Sequence, residues 1–180
     1  MNSYIRYMRL YVVAYPELAP DDYKLIDNSR QQHDRLYGMI DAHVTFVFLV
    51  EDFTPEDFVA EVRKQTAGAK AFDITIRACT IDKDTFSEHY FAFLVPDEGN
   101  SNIIKLHDKL YSGKLAHHHR MDIDYIPHIL IATSLDKAVI KNIVDEWNAK
   151  DFEFKGKIKA LDIISFENGV TTVLDRVVLE

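Results

Sequence analysis

Two histidines that each open a short apolar strand are the residues of this sequence best suited to chemistry. His43 stands near the start of the segment 42–48 (AHVTFVF), and His128 near the start of 126–132 (IPHILIA). They occupy positions 43 and 128 of 180, almost half the chain apart, as expected for two similar halves. Imidazole titrates near neutral pH, so two facing histidines can serve as a general acid and a general base. We therefore predict acid–base chemistry in a cleft between two lobes.

The alternation of side chains along a strand places a hydroxyl beside the first histidine but not beside the second. Residues i and i+2 of a strand share a face, so Thr45 projects on the same side as His43. His128 shares its face with Leu130, which carries no polar group. Pro127 disfavours helical backbone at the preceding residue and so holds the approach to His128 extended. The first strand thus predicts a small polar site on an otherwise apolar strand.

These two segments resemble the paired H-x-[T/S]-x motifs of the 2H phosphoesterase superfamily, which includes the LigT-like 2′-5′ RNA ligases and the cyclic phosphodiesterases. Residues 43–46 (HVTF) match the first motif. Residues 128–131 (HILI) match the second at the histidine and the apolar positions but carry Leu130 at the hydroxyl position. The segment 106–115 (LHDKLYSGKL), with 125–128 (YIPH) after it, resembles the same region of the YjcG-type branch. The likeness covers most of the chain.

The resemblance implies hydrolysis of a 2′,3′-cyclic phosphate, or of a 2′-5′ linkage in a nucleotide or at an RNA end, without a metal or cofactor. His43 and His128 would be the catalytic pair. The neutral imidazole takes a proton from water and the charged one gives a proton to the leaving ribose oxygen, in an assignment that the sequence leaves open. Thr45 would bind the phosphate oxygens. Leu130 cannot do so, and the loss of one such donor costs about 10²–10³ in rate by analogy with oxyanion holes.

Five further residues are candidates for substrate binding, and most of them could replace the missing second hydroxyl. Arg9 and Tyr11 lie on one face of the first strand, where they could line the cleft. Tyr125 could stack on a base, and Thr133 offers another hydroxyl near the second motif. Arg120 lies in a polar loop that could border the cleft and touch substrate.

Two other functions compete with the enzyme. Leu130 could mark a nucleotide-binding or RNA-end-binding protein that has kept the cleft and lost turnover. The run 117–119 (HHH) could instead make the chain a metal-binding protein centred on His117 and His119, because histidine with nearby aspartate suits transition metals. Adjacent side chains in a loop point apart, however, which favours a solvated loop over a metal site.

Strand and helix signals alternate along the chain and predict an α+β fold. With the resemblance, this is the two-lobed LigT-like fold, in which two antiparallel sheets with flanking helices surround a central cleft. The first helix is expected to run to Gly38, and Asn168-Gly169 predicts a hairpin turn. The predicted strands are 4–15, 43–50, 72–81, 89–95, 125–132, 152–166 and 170–179, and the predicted helix caps are Asp21 or Asp22, Thr54, Asn100 or Ser101, and Ser134.

Composition limits the partners and the compartment. A length of 180 residues predicts one domain, 1–180, with two pseudo-symmetric lobes. The formal charge of −8 disfavours a long duplex nucleic acid and is easier to reconcile with a small nucleotide or the end of an RNA. Cys79 is the only cysteine, which fits a reducing compartment. The N-terminus does not resemble a signal peptide and no apolar run is long enough for a bilayer, so we expect a cytoplasmic protein without a membrane partner.

Overall fold

In the described part of the chain, the two histidine segments belong to an arrangement of two antiparallel sheets and four α-helices. The computed structural model describes residues 8–180, and the predicted strand residues 4–7 lie outside this range. Within the described residues the elements are β1 Leu10–Ala14, β2 Glu17–Leu18, α1 Pro20–His33, β3 Val44–Val50, α2 Pro55–Thr66, β4 Phe72–Lys83, β5 Tyr90–Glu98, α3 Asn100–Leu110, a 3₁₀ helix Gly113–His118, β6 Ile129–Ser134, α4 Lys137–Asn148, β7 Phe154–Ile158, β8 Ala160–Glu167 and β9 Val170–Val178.

Each histidine leads into a strand at the edge of a different sheet. The first sheet has the order β3-β1-β8-β9 and the second β2-β7-β4-β5-β6, with antiparallel neighbours throughout. The helix α3 packs against β3, α1 against β6, and α4 against β4, β5 and β6. The predicted α+β fold, with two antiparallel sheets flanked by helices, is confirmed. Because β3 begins just after His43 and β6 just after His128, each sheet presents one imidazole at its edge.

One cluster of buried apolar side chains runs through both sheets and their helices. It contains Leu10 and Phe46 from the first sheet, Ile76 and Ile131 from the second, and Trp147 from α4. Burial of this apolar surface is the main favourable contribution to folding, and it fixes the two sheets against one another. None of the helices within residues 8–180 is long and apolar enough to cross a bilayer.

The prediction of one strand over 152–166 is wrong, because the chain passes from one sheet to the other at Lys159. The first part is β7, which pairs with β4 in the second sheet, and the second part is β8, which pairs with β1 in the first. The carbonyl of Lys159 accepts a hydrogen bond of 2.8 Å from the backbone N–H of Leu179. Both parts are extended, and only their long-range partners assign them to different sheets. The two-residue strand β2 was also not predicted.

The first helix ends at His33, before its predicted stop, because a buried arginine turns the chain. Arg30 is 2% exposed, and its guanidinium donates to the carboxylate of Asp34 (2.8 Å) and to the carbonyl of Ile40 (2.7 Å). Asp34 has extended backbone, so the chain leaves the helix there and forms the loop that delivers His43. A tertiary contact therefore decides where this helix ends.

The other helix starts and turns follow the sequence in part. Thr54 caps α2 as predicted. The helix α3 begins after Gly99, whose φ of 80° favours glycine, instead of after a side-chain cap. Asp136 caps α4, whereas Ser134, the predicted cap, is the last residue of β6. The predicted hairpin at 168–169 joins β8 to β9 with positive φ at both residues, as a type I′ turn requires.

Candidate active site

The two histidines are held by the same local contact. The Nδ1 atom of His43 lies 2.7 Å from the carbonyl oxygen of Asp41, and the Nδ1 atom of His128 lies 2.6 Å from the carbonyl oxygen of Ile126. A carbonyl oxygen accepts hydrogen bonds only, so Nδ1 carries the proton in both rings. Each neutral ring therefore keeps its lone pair on Nε2, the atom that remains able to accept a proton or a hydrogen bond.

The surroundings of both rings favour the neutral imidazole. Burial lowers the pKa of His43 below 6.5 and is the largest cause of the shift. Burial also lowers the pKa of His128, to about 4, and the charge of His43 contributes to this lowering. The His128 ring stacks on Phe93 with centroids 3.6 Å apart, while His43 meets Tyr15 edge-on at 6.2 Å. A bound phosphate anion would raise these pKa values again, because an opposite charge nearby stabilises imidazolium.

A cavity lies beside each histidine, and one aromatic side chain lines both. We call them the His43 cavity and the His128 cavity, and together the groove. Phe48 lines both. The remaining lining of the His43 cavity is Arg9, Tyr11, Val13, Arg35, Leu36, Ile40, Thr45, Ile164 and Phe166. The remaining lining of the His128 cavity is Asp82, Asp84, Thr85, Phe86, Phe91, Phe93, Arg120, Ile123, Asp124, Ile126 and Leu130.

The two motif positions differ as the sequence indicates. Thr45 lines the His43 cavity, so its hydroxyl lies on the histidine side of β3. Leu130 lines the His128 cavity at the position where the motif has a hydroxyl. The pairing of β1 with β3 shifts register on either side of Val12, and Phe48 consequently also faces the groove. Only one of the two cavities thus holds a motif hydroxyl.

Besides Thr45, three of the five further candidates for substrate binding line the groove. Arg9 and Tyr11 line the His43 cavity, and Arg9 also lies 3.5 Å from the carboxylate of Glu51. Arg120 lines the His128 cavity, where its guanidinium makes two hydrogen bonds to Asp122 (2.8 and 2.7 Å) and lies 4.7 Å from the ring centroid of Phe86. The expectation that the loop around Arg120 borders the groove therefore agrees with its placement.

Two other predicted residues, Tyr125 and Thr133, line neither cavity. The hydroxyl of Tyr125 donates to the carbonyl of Thr45 (2.8 Å), and its ring stacks on His107 at 3.5 Å with an interplanar angle of 5°. A base cannot stack on the ring face that His107 covers. Thr133 has a buried Oγ1 without a hydrogen-bond partner among the described residues. Neither residue therefore replaces the missing hydroxyl in this structure.

Tyr125 belongs to a set of three side chains that cover the free edge of β3. His107 Nδ1 lies 2.8 Å from the carbonyl of Phe46, and the Tyr111 hydroxyl accepts from the N–H of Phe48 (2.8 Å). An edge strand leaves backbone groups unpaired, and buried ones need partners. With the Tyr125 contact, these bonds hold the strand that carries Thr45. No local pattern in the sequence predicts this role.

The side chains of the three consecutive histidines, 117–119, point in two different directions. His117 and His118 face Asp52, with Nε2 atoms 3.5 and 2.7 Å from its carboxylate oxygens. His119 stacks on Tyr111 instead, with centroids 4.9 Å apart. The hypothesis of one metal centre built on His117 and His119 is therefore wrong, because successive side chains at the end of the 3₁₀ helix point to different sides.

Sequence reasoning missed four charged residues that line the groove. Arg35 lines the His43 cavity; it falls within the predicted first helix, which was expected to run to Gly38, but lies beyond the observed end at His33. Asp82, Asp84 and Asp124 line the His128 cavity. Since β4 and the loop before β6 meet only in the folded chain, the sequence carries no spacing that relates these carboxylates to His128.

Comparison with solved structures identifies the class of fold. E. coli LigT in complex with 3′-AMP superposes with a TM-score of 0.62 at 16% identity, over 96% of this chain and 98% of that chain. TT0787 of Thermus thermophilus gives 0.61 at 14% identity, over 96% and 97%. Kluyveromyces marxianus Usb1 gives 0.54 at 9% identity, over 92% and 97%. The fold is LigT-like, as expected from the sequence.

The family follows from the sequence profile that the chain matches. The profile of the 2′-5′ RNA ligase superfamily matches residues 16–170, so the chain belongs to this superfamily. The predicted membership of the LigT-like 2H phosphoesterases is thereby confirmed. None of the curated proteins matches the chain significantly.

Proposed function

We propose that the protein is a metal-independent phosphodiesterase that hydrolyses a 2′,3′-cyclic phosphate, or a 2′-5′ linkage in a nucleotide or at an RNA end. The observation that carries this proposal is the matched pair of imidazoles, each with Nδ1 bound to a carbonyl and Nε2 available. Membership of the 2′-5′ RNA ligase superfamily supports it. The structure of E. coli LigT with 3′-AMP supports a nucleotide as the ligand.

In the proposed reaction the two Nε2 atoms exchange protons with opposite ends of the phosphoryl group. One neutral Nε2 takes a proton from water while the water oxygen forms a bond to phosphorus. The other histidine, protonated on Nε2, gives its proton to the leaving ribose oxygen as the phosphorus–oxygen bond of the cyclic ester breaks. The pair ends with its roles exchanged, and solvent restores the protons. Each transfer contributes about 10²–10⁴ in rate.

The charges of the groove suggest how a substrate lies in it. The His43 cavity has the hydroxyl of Thr45 and the guanidinium groups of Arg9 and Arg35, which favour phosphate oxygens. The His128 cavity has three carboxylates beside phenylalanine rings, which favour a base with its amino donors and π-face. Arg120, paired with Asp122, would contact the part of the substrate nearest His128.

A nucleotide-binding protein without turnover is the second candidate, and Leu130 is the observation that favours it. A phosphate bound with one hydroxyl ligand in place of two loses part of the stabilisation of its transition state. This candidate predicts affinity for nucleotides without product, and turnover that appears on Leu130→Thr.

A substrate panel tests both candidates. EDTA-treated protein is incubated with 2′,3′-cyclic nucleotides, ADP-ribose cyclic phosphate and 2′-5′ oligonucleotides, and products are separated by chromatography. The enzyme hypothesis expects hydrolysis that His43→Ala and His128→Ala each abolish, while the matched control His117→Ala, outside the groove, keeps it. Binding of these compounds without any product would favour the second candidate and reject the first.

A further inference from the structure

A cluster of metal-type ligands lies outside the groove, between α3 and the segment that follows the 3₁₀ helix. One ring nitrogen each of His107 and His119 and one carboxylate oxygen of Asp108 lie within 4.8 Å of one another. None of these three residues lines the His43 cavity or the His128 cavity. The proposed hydrolysis does not use them, so the cluster calls for a separate explanation.

His107 carries the strongest sign of a ligand. The residue is 2% exposed, and its Nδ1 lies 2.8 Å from the carbonyl of Phe46, so that nitrogen holds the proton. Its Nε2 is buried and has no hydrogen-bond partner among the described residues. A buried acceptor without a hydrogen-bond partner lowers the stability of the fold. A lone pair left without a partner in a packed region therefore points to a ligand that binds there. A histidine that binds a metal through one nitrogen usually donates its other N–H to a carbonyl or carboxylate, as His107 does.

The neighbours of His107 hold its ring in place. Tyr125 stacks on it at 3.5 Å, and Tyr111 meets it at a centroid distance of 4.9 Å and an angle of 66°. His119 meets the same ring edge-on at 5.3 Å. The fold thus fixes one ligand before any ion arrives.

The other two ligands are free to adjust. Asp108 is exposed and His119 is half-buried, so rotation of their side chains can bring both toward an ion at the usual distance of about 2.0–2.2 Å from each ligand atom. Two imidazoles and one carboxylate are a ligand set that suits zinc and leaves a fourth position for water. Because His107 also contacts the Phe46 carbonyl at the edge of β3, an ion bound to this ring would help to hold that strand.

We infer that His107, Asp108 and His119 form a binding site for a divalent transition-metal ion of the zinc class, separate from the catalytic groove. The neighbouring set Asp52, His117 and His118 is the natural comparison. In that set the Nε2 atom of His118 already lies 2.7 Å from the Asp52 carboxylate, a contact that becomes an ion pair when the ring is protonated. The Nε2 atoms of His107 and His118 are both buried without a hydrogen bond among the described residues, but that of His118 already has a carboxylate oxygen 2.7 Å away. His107 is only 2% exposed, and Tyr125 holds its ring by stacking on it. The site with His107 is therefore the one that we expect an ion to occupy.

Zinc titration of metal-free protein tests the site. We expect equilibrium dialysis to find one Zn²⁺ per chain, and His119→Gln and Asp108→Asn each to weaken binding by at least about tenfold. Both residues are at least partly exposed, so the variants should fold, and their circular dichroism checks this. The matched control His117→Gln, from the neighbouring set, should bind zinc like the wild type.

A second measurement identifies the ligand atom directly. In a ¹⁵N–¹H correlation spectrum of the histidine side chains, zinc should shift the Nε2 signal of His107 and leave its Nδ1–H in place. The inference is overturned if wild-type protein retains no zinc, if the His107 signal does not move, or if affinity falls in His117→Gln but not in His119→Gln. Hydrolysis is assayed separately in EDTA, so failure of the metal site and failure of the proposed function are distinguishable.

Discussion

The two halves of the groove hold their histidines alike but surround them differently. Both imidazoles bind the carbonyl two residues earlier and both stand before an edge strand. Beside His43 the protein places the hydroxyl of Thr45 and arginine side chains, whereas beside His128 it places Leu130 and carboxylates. Proton transfer at two oxygens needs matched donors on both sides, but a phosphate can take its main contacts from one side. Under the proposed function, the difference predicts a groove that is symmetric for acid–base chemistry and asymmetric for substrate binding.

The largest expected effect comes from removing either imidazole, because the proposed reaction needs a proton acceptor at one histidine and a proton donor at the other. His43→Ala and His128→Ala should each lower kcat for a 2′,3′-cyclic nucleotide by about 10²–10⁴. The double variant should be little worse than either single one, since the two groups act as a unit. Steady-state assays in EDTA measure this. A near-normal rate in either single variant would show that the halves are not equivalent in proton transfer.

Substitutions at the two motif hydroxyl positions, 45 and 130, test whether phosphate takes its main contacts from the His43 half of the groove. Thr45→Val removes the one motif hydroxyl and should lower kcat by about 10²–10³, as for an oxyanion-hole donor. Leu130→Thr supplies the missing one and should raise kcat by a smaller factor, because the carboxylates that line the His128 cavity repel a phosphate. Both substitutions nearly conserve side-chain shape or reduce size, so thermal melts should confirm folding. If Thr45→Val retains full activity, phosphate binding does not rest on the His43 half.

The ion pairs near the two histidines should differ in their effect on stability. Arg30 and Asp34, which shape the loop before His43, are buried, and Asp34→Ala should cost about 3–5 kcal/mol because it strands a buried charge. Arg120 and Asp122 near His128 are exposed, so Asp122→Ala should hardly change the free energy of unfolding. Urea denaturation compares the two variants. Equal costs would contradict the view that only the first loop depends on a buried pair.

The pH profile should be acidic because both histidines have lowered pKa values in the free protein. Catalysis needs one neutral and one protonated imidazole. Burial lowers the pKa of His43, and lowers that of His128 to about 4, so the protonated form disappears as pH rises through these values. We expect kcat/KM to peak below pH 6.5 and to fall about tenfold per pH unit at higher pH. The peak for kcat should lie higher, since bound phosphate stabilises imidazolium. An optimum of kcat/KM above pH 7 would contradict this.

The sequence predicted what is encoded locally. The histidines, Thr45 and the caps and turns at Thr54 and 168–169 depend on neighbouring residues, and motif spacing or cap chemistry predicts them. The sheet to which each half of 152–166 belongs depends on distant partners, and the same holds for the end of the first helix, set by Arg30. Tertiary contacts override local propensity in such cases.

Candidate binding residues show the same limit. Tyr125 has the right type and lies close to the second motif, but its hydroxyl and one ring face are taken by Thr45 and His107. Neither partner is near it in sequence. Arg35 was missed for a related reason, because its placement beside His43 follows from the early end of the helix. The type of a residue shows which contacts its side chain could make. Only the folded structure decides whether that side chain faces the groove.

The smallest expected effects come from exposed charges that line opposite cavities. Arg35→Gln removes a positive charge from the His43 cavity, and Asp124→Asn removes a negative charge from the His128 cavity. Exposed charges interact by about 0.2–1 kcal/mol, so kcat/KM for a substrate with an additional 5′-phosphate should change by about 1.4- to 5-fold. Arg35→Gln should lower it and Asp124→Asn should raise it. Both differences should shrink as salt is raised from about 0.05 to about 0.5 M, because ions screen exposed charges. If kcat/KM changes in the same direction and to the same extent in both variants, and independently of salt, the groove does not orient its substrate by charge.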